Sequence, residues 1–307
     1  MSSERYLSLK IDVDTHDGMK KGVPKLLKVL DEFGIYATFC LSFGPDNAGK
    51  ALFRMIREPM FLKKMLKTRA PRLYGFRTIF SGTLLPARPI ATAFPELVRQ
   101  IDEQGHEVIV HAWNHRAWQD HLQDFSRDMI LAEFDRAFQA FEEILGRAPM
   151  AVAAPGWQAS LQSLEVQDTL NLLYASDLRE SPPCFIRNNN KIFKTLQIPT
   201  TGPCIEELLA IGIRDEEKMA NTIIEELSKY DYPVLAVHAE VEGGPFIVFF
   251  EKLLGKLLKR FKSIVPLHTV AEHLLMKRDT IPVGDLTFIT IPGRAGKVAS
   301  SKAVCIE

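Results

Sequence analysis

The sequence predicts an α/β protein built as a (β/α) barrel, and three observations lead there. Apolar strand-like runs alternate with amphipathic helical segments along most of the chain. The connections between them are short, which favours parallel strands. No Gly-rich dinucleotide loop follows the first strand, so a Rossmann sheet is disfavoured and chemistry is expected at the C-terminal ends of barrel strands.

The elements follow in order. Tyr6 to Val13 reads as a buried strand ending in acids, and Val23, Leu26, Leu27, Leu30 and Phe33 keep helical spacing up to a capping Gly34. A second strand spans Ile35–Leu41. After a break of roughly 45 residues the alternation resumes with a helix over Pro95–Gln104, a strand over Glu107–His111 and a long helix over Ser126–Leu145. Further strands are predicted at Ala151–Ala154, Phe193–Ile198 and Val234–Val237, with a short one near Val265. Helices are predicted at Leu161–Leu172, Asp215–Lys229 and Phe249–Phe261. One barrel domain over residues 1–278, with an insertion at about 48–90, is therefore expected. The stretch 279–307 mixes Gly, Pro, Ser and Lys without period and reads as a loosely structured tail.

Composition narrows the setting. The chain has 307 residues and no net charge, so a chain-wide polyelectrolyte role is excluded. Cys40, Cys184, Cys204 and Cys305 form no CxxC pair, which argues against a zinc ribbon or a dithiol redox site and for buried thiols in a reducing compartment. The N-terminus has no apolar signal-peptide core, and no uncharged stretch is long enough to span a bilayer. The expected compartment is the cytoplasm.

Ionisable residues collect just past the predicted strands. Asp12 and Asp14 lie two apart, on one face of a strand, so one can bind a cation while the other acts as a base. A pair of solvated acids opening a turn fits as well. His111 and His115 stand four apart, a spacing that on one turn of helix puts both imidazoles on the same face. With a carboxylate they would make a three-ligand site with an open position for water, although two surface histidines would look the same. Such a donor set suits Zn²⁺, Co²⁺, Mn²⁺ or Fe²⁺. His238 closes the apolar run Val234–Val237, where a histidine is either a satisfied core residue or a proton donor.

The insertion carries its own signal. Between Lys50 and Arg88 stand ten basic residues and one acid, Glu58, interleaved with Leu52, Phe53, Met55, Ile56, Phe61, Met65 and Phe76. Basic plus large apolar residues in helix-compatible stretches describe a membrane-surface anchor. No nucleic-acid motif is present, and none is expected to bind. The segment Phe249–Phe261, with Lys252, Lys256, Lys259 and Arg260 on one face, is a second and weaker candidate, since a barrel helix also needs one apolar face.

The motifs IDVDTHDG, GHEVIVHAWNH, APGW and VLAVH, in this order, resemble the NodB-homology polysaccharide deacetylases, the fourth carbohydrate-esterase family, over roughly residues 6–275. The resemblance implies a distorted barrel, usually seven-stranded, and one divalent metal held by Asp14, His111 and His115. It implies Asp12 as catalytic base and His238 as general acid. Pro155, Gly156 and Trp157 would form a cleft wall offering a backbone N–H to the oxyanion. Two positions depart from the family pattern. Ala153 stands where an Arg contacting the base is common, and Arg179 stands where a Trp completes an Asp-x-Trp that tunes the acid. Asp177 is the candidate for that Asp, and Arg179 for a substrate contact. The opening DVDTHDG, the following GVP and the APGWQ wall resemble a cytoplasmic subgroup acting on 4-deoxy-4-formamido-L-arabinose-phosphoundecaprenol. That implies a deformylase of a polyprenyl-phosphate-linked amino sugar used to modify lipid A, working at the cytoplasmic face of the inner membrane through residues 50–88. A cytoplasmic sugar N-deacetylase and a non-catalytic lipid-binding barrel are the other readings.

Overall fold

The fold is described by a computed structural model over residues 5–47 and 86–303. Most of the basic insertion, and Cys305, therefore lie outside the described residues.

Strand β1 (Tyr6–Val13) organises the architecture, with seven of its eight residues buried. Burial on both faces is expected of a parallel strand flanked by helices. Leu7, Leu9, Ile11 and Val13 join the main apolar core, together with Leu26, Leu27 and Leu30 of α1 (Val23–Phe33). Ser8, Lys10 and Asp12 point the other way and are also buried. Lys10 Nζ reaches Ser176 O at 3.4 Å, just past β5 (Tyr174–Ala175) and across the sheet, so this second face lines the barrel interior. Helix α1 ends where expected, at Gly34 in the left-handed region (φ 64°).

The main sheet also contains β2 (Thr38–Ser42), β3 (Glu107–Ala112), β4 (Ala151–Val152), β8 (Leu196–Gln197), β9 (Val234–His238) and β10 (Ser263–Val265). Its order is β10-β1-β2-β3-β4-β5-β8, and β9 pairs with β1 off this path. Every pairing is parallel. The curl nearly closes, because Thr201 N–H beyond β8 donates to Val234 O at the start of β9 (3.0 Å). The expected distorted barrel is thus observed, with three-residue β10 as an eighth strand beside the first residues of β1. Its floor is polar: Glu107 accepts hydrogen bonds from Thr38 Oγ1 (2.6 Å) and Tyr174 OH (2.9 Å).

The expectation of a loose tail is corrected. Residues Val283–Ile289 (β11) and Val298–Ala303 (β12) form an antiparallel hairpin. β11 pairs in parallel with β6 (Phe185–Asn188), which in turn pairs with β7 (Lys191–Ile192), giving a second four-stranded sheet. Arg179 N–H donates to Ala299 O (2.9 Å), tying that sheet to the barrel.

The second membrane candidate also changes character. In helix Ile247–Arg260, Leu253, Leu254 and Leu257 are buried in the core, while Lys252 and Lys256 pair with Glu216 and Glu217 of the adjacent helix Glu216–Leu227. Its amphipathicity is spent inside the protein. No described helix is long and apolar enough to cross a membrane. Cys40, Cys184 and Cys204 are buried free thiols, as expected.

Candidate active site

The barrel brings the C-terminal ends of β1, β3 and β9 together. Asp12 is level with Cys40 of β2 and with His238 of β9 in the strand register. Asp14 lies just beyond β1 at the start of the loop that turns into α1.

His111 and His115 are not on one helical turn, which corrects the expected geometry. His111 is part of β3, whose alternation puts Val108 and Val110 in the outer core and turns His111 inward. His115 is the first residue of helix His115–His121. Asn114 caps that helix by accepting from Ala117 N–H (3.1 Å), and its own N–H donates to Glu133 Oε2 (2.9 Å). A strand end and a helix start therefore aim the two rings at one point, with centroids 5.1 Å apart.

That point is Asp14. Its Oδ1 lies 3.3 Å from His111 Nε2 and its Oδ2 lies 3.3 Å from His115 Nε2. The three donor atoms lie within 4.8 Å of one another. For bonds of about 2.0–2.1 Å, neighbouring ligands of a tetrahedral ion stand about 3.3 Å apart, the distance each imidazole nitrogen keeps from one Asp14 oxygen. The tautomer fits as well. His111 Nδ1 faces Ala153 O at 2.8 Å, which places the ring proton there and leaves Nε2 free to ligate. Burial would raise the Asp14 carboxyl, but His115 and His111 outweigh it and hold the group well below the usual carboxylate range. These three residues could hold a metal.

Asp12 is 3% exposed. Its Oδ2 stands 3.5 Å from Lys10 Nζ, while Oδ1 is buried and makes no hydrogen bond among the described residues. Burial would depress the Lys10 ammonium, yet Asp12, with Cys40 and Asp177, outweighs it and keeps the group above its ordinary range. Lys10 was absent from the sequence expectations, although the alternation Ser8, Lys10, Asp12 carries the signal: polar residues recur with period two in an otherwise apolar strand.

Across from Asp12, His238 Nδ1 lies 3.2 Å from Glu206 Oε1, and His238 N–H donates to Glu242 Oε2 (2.7 Å). Burial would lower the His238 imidazole, but Glu206 and then Asp14 and Asp12 raise it well above the usual range. Glu206 was missed because it belongs to a short helix, Ile205–Ala210, with no local motif.

Two expected assignments are corrected. Asp177 does not touch His238: Oδ1 accepts from Ala154 N–H (2.8 Å) and Oδ2 from Gln167 Nε2 (2.6 Å), so it anchors the segment that precedes the cleft wall. Burial pushes its carboxyl up. Arg179, expected at substrate, is fully buried and is paired with Glu207 (3.0 Å) and Glu180 (3.3 Å). Its guanidinium stacks on the Trp157 indole at 4.4 Å and supports the wall from within.

The wall itself is strained. Gly156 (φ 60°) and Trp157 (φ 53°) are both left-handed, uncommon for a bulky residue. A Cβ on Gly156 would sit 2.7 Å from Gln119 Cγ. Trp157 is held by Nε1–H donating to Thr200 Oγ1 (3.0 Å). Its backbone N–H donates to Ala154 O (3.2 Å), so it is not the free oxyanion donor expected from the sequence.

Comparison with known proteins agrees with this fold. The polysaccharide deacetylase family model matches residues 4–175, and the chain belongs to that family. It is 32% identical over 290 residues to the "Probable 4-deoxy-4-formamido-L-arabinose-phosphoundecaprenol deformylase ArnD" of Shewanella sediminis (strain HAW-EB3), covering 94% of this chain and 92% of that one. The protein of the same name from Wigglesworthia glossinidia brevipalpis is 30% identical, with 94% and 99% covered. Among solved structures, a polysaccharide deacetylase family protein from Mycobacterium smegmatis superposes with a TM-score of 0.61 at 18% identity, covering 91% of this chain and 93% of that one.

A cation that binds the fold and not the unfolded chain stabilises it. Adding Zn²⁺, Co²⁺ or Mn²⁺ to chelator-treated protein should raise the thermal midpoint, and His111→Ala should abolish the rise. An equal rise in both proteins would remove His111 from the ligand set.

Proposed function

We propose that the protein is a metal-dependent hydrolase that removes the formyl group from 4-deoxy-4-formamido-L-arabinose-phosphoundecaprenol, yielding the amino-arabinose lipid used to modify lipid A. The observation that carries this reading is the convergence of Asp14, His111 and His115, with Asp12 and His238 flanking them. The two relatives named for that deformylation align along almost the whole chain, which supports the substrate.

A divalent cation at Asp14, His111 and His115 would lower the pKa of a coordinated water and polarise the amide oxygen. Asp12 accepts the water proton at Oδ1, the oxygen that Lys10 leaves free. The water oxygen adds to the formyl carbon, and the C–N bond then breaks. His238 gives the departing nitrogen a proton from Nε2, because Nδ1 is turned to Glu206. Formate and the free sugar amine result. Asp177 and Arg179 act at a distance, by fixing Ala154 and Trp157 of the wall.

The basic, apolar insertion at 50–88 supplies the reading of where the enzyme works: at the cytoplasmic face of the inner membrane, docked on anionic lipid and close to a substrate that has a phosphate head and a polyprenyl tail. Deleting about residues 50–85 should abolish co-sedimentation with anionic vesicles. A folded deletion variant that still sediments with them would reject the docking role.

Purified protein should release formate from the formamido-arabinose lipid, and chelator or His111→Ala should abolish release. Acetate released from the acetamido analogue at a comparable rate would instead favour an N-deacetylase. Activity needs His238 protonated, so it should fall as pH rises through the His238 pKa. Glu206 holds that pKa up, so Glu206→Gln should shift the alkaline limb of the kcat profile to lower pH. An unshifted limb would remove Glu206 from control of the acid.

A further inference from the structure

The turn of the C-terminal hairpin packs against the cleft wall. Gly293 (φ 83°) sits so close to the helix Ile205–Ala210 that a Cβ there would stand 2.2 Å from Glu207 O. Only glycine fits both the backbone angle and the space. The loop is also tied to the wall, through Gln158 Nε2 donating to Lys297 O (2.9 Å). This docking fixes the next residue, Arg294. Its Cζ lies 4.5 Å from the centre of the Trp157 indole, and its Nη2 stands 3.2 Å from where a Gly156 Cβ would be. The same indole has Lys10 Nζ 5.5 Å from its centre, and Lys10 contacts Asp12. Arg294 and the Lys10 of the Lys10–Asp12 pair thus both approach the same aromatic ring.

Arg294 differs from its neighbour Arg179 in what holds its charge. Arg179 has no exposed side-chain surface and takes both Glu207 oxygens, at 3.0 and 3.2 Å. Arg294 meets Glu207 only at 3.6 Å, and 19% of its side chain remains exposed. A guanidinium held over an indole, with its acid partner more closely engaged elsewhere, keeps N–H donors available. Such donors suit an oxyanion with two acceptor oxygens.

We propose that Arg294 is the anion-recognising residue of this cleft, binding the phosphate that joins the sugar to its carrier. The inference rests on the deformylase reading, from which the phosphodiester comes, and adds the residue that selects for it. The hairpin is then a specificity element, placing one cation beside the wall while the barrel supplies the chemistry.

The test compares formate release from three formamido-arabinose substrates: the polyprenyl phosphodiester in mixed micelles, a water-soluble methyl phosphodiester and the neutral methyl glycoside. Wild type should favour both phosphodiesters over the glycoside in kcat/KM. Hydrogen bonds to charged groups contribute about 1.5–3 kcal/mol, so Arg294→Gln should lower both preference ratios by about tenfold or more, with Arg294→Lys falling between. Should Arg294→Gln fail to fold, methyl phosphate should still inhibit wild-type hydrolysis of the neutral glycoside competitively, and the Arg294→Lys ratios should still fall. Ratios that survive in an active Arg294 variant would overturn the inference, as would a fall confined to the micellar substrate, which would place the effect at the lipid surface. No formate from any substrate with wild type would overturn the deformylase reading itself. Formate from all three at equal kcat/KM would overturn only the role of Arg294.

Discussion

A charge placed inside a parallel barrel has to be answered there, because water cannot solvate it. The inward face of β1 carries two such charges, Lys10 and Asp12, both buried and 3.5 Å apart. Removing one member of a buried pair costs about 3–5 kcal/mol, since the other is left uncompensated. The pair is therefore a structural requirement before it has any part in the proposed chemistry. It also answers a question raised by the sequence. Where the family pattern often has an Arg beside the base, this chain has Ala153, and the cation beside Asp12, the proposed base, comes instead from β1 itself, two residues earlier.

The same rule repeats around the barrel mouth. His238 is answered by Glu206 at 3.2 Å and Arg179 by Glu207 at 3.0 Å. These two acids are consecutive in one six-residue helix. Glu206 faces the proposed acid, while Glu207 faces the arginines that support the wall and also accepts from Cys204 N–H (3.1 Å). A single helical turn thereby couples the orientation of His238 to that of Trp157. Asp177 completes the arrangement from below, fixing the backbone at Ala154.

What was legible in the sequence follows from which interactions are local. The opening β-α-β unit, the long helix ending at Leu145 and Gly146, and the clustering of Asp12, Asp14, His111, His115 and His238 at strand ends all rest on short-range periodicity. The geometry of His111 and His115 was misread because a spacing of four has two solutions. Here Asn114 starts a new helix after the strand, so β3 supplies one ring and the helix the other. The C-terminal hairpin was illegible for a different reason. β11 finds its partner in β6, about a hundred residues earlier in the chain, and its Gly and Pro belong to the turn that docks on Glu207. Glu206 and Arg294 reach the site only through such long-range packing, which leaves no mark on the neighbouring residues.

The distribution of acids explains why a cation belongs at the centre. Asp12, Asp14, Glu206, Glu240 and Glu242 crowd the mouth, where buried Lys10 faces Asp12 and the partly buried His238 faces Glu206. Two of the acids already bear the strain of that excess. Burial, followed by repulsion from Asp14, pushes Glu240 well above the usual range. Burial and then Glu206 push Glu242 up to about 8. Burial and neighbouring negative charge both favour the protonated form of such a carboxyl. A divalent cation between Asp14, His111 and His115 would relieve that negative charge directly, because its own charge falls where the acids converge. The donor set, the tautomer of His111 and the surrounding field thus favour the same occupant for independent reasons.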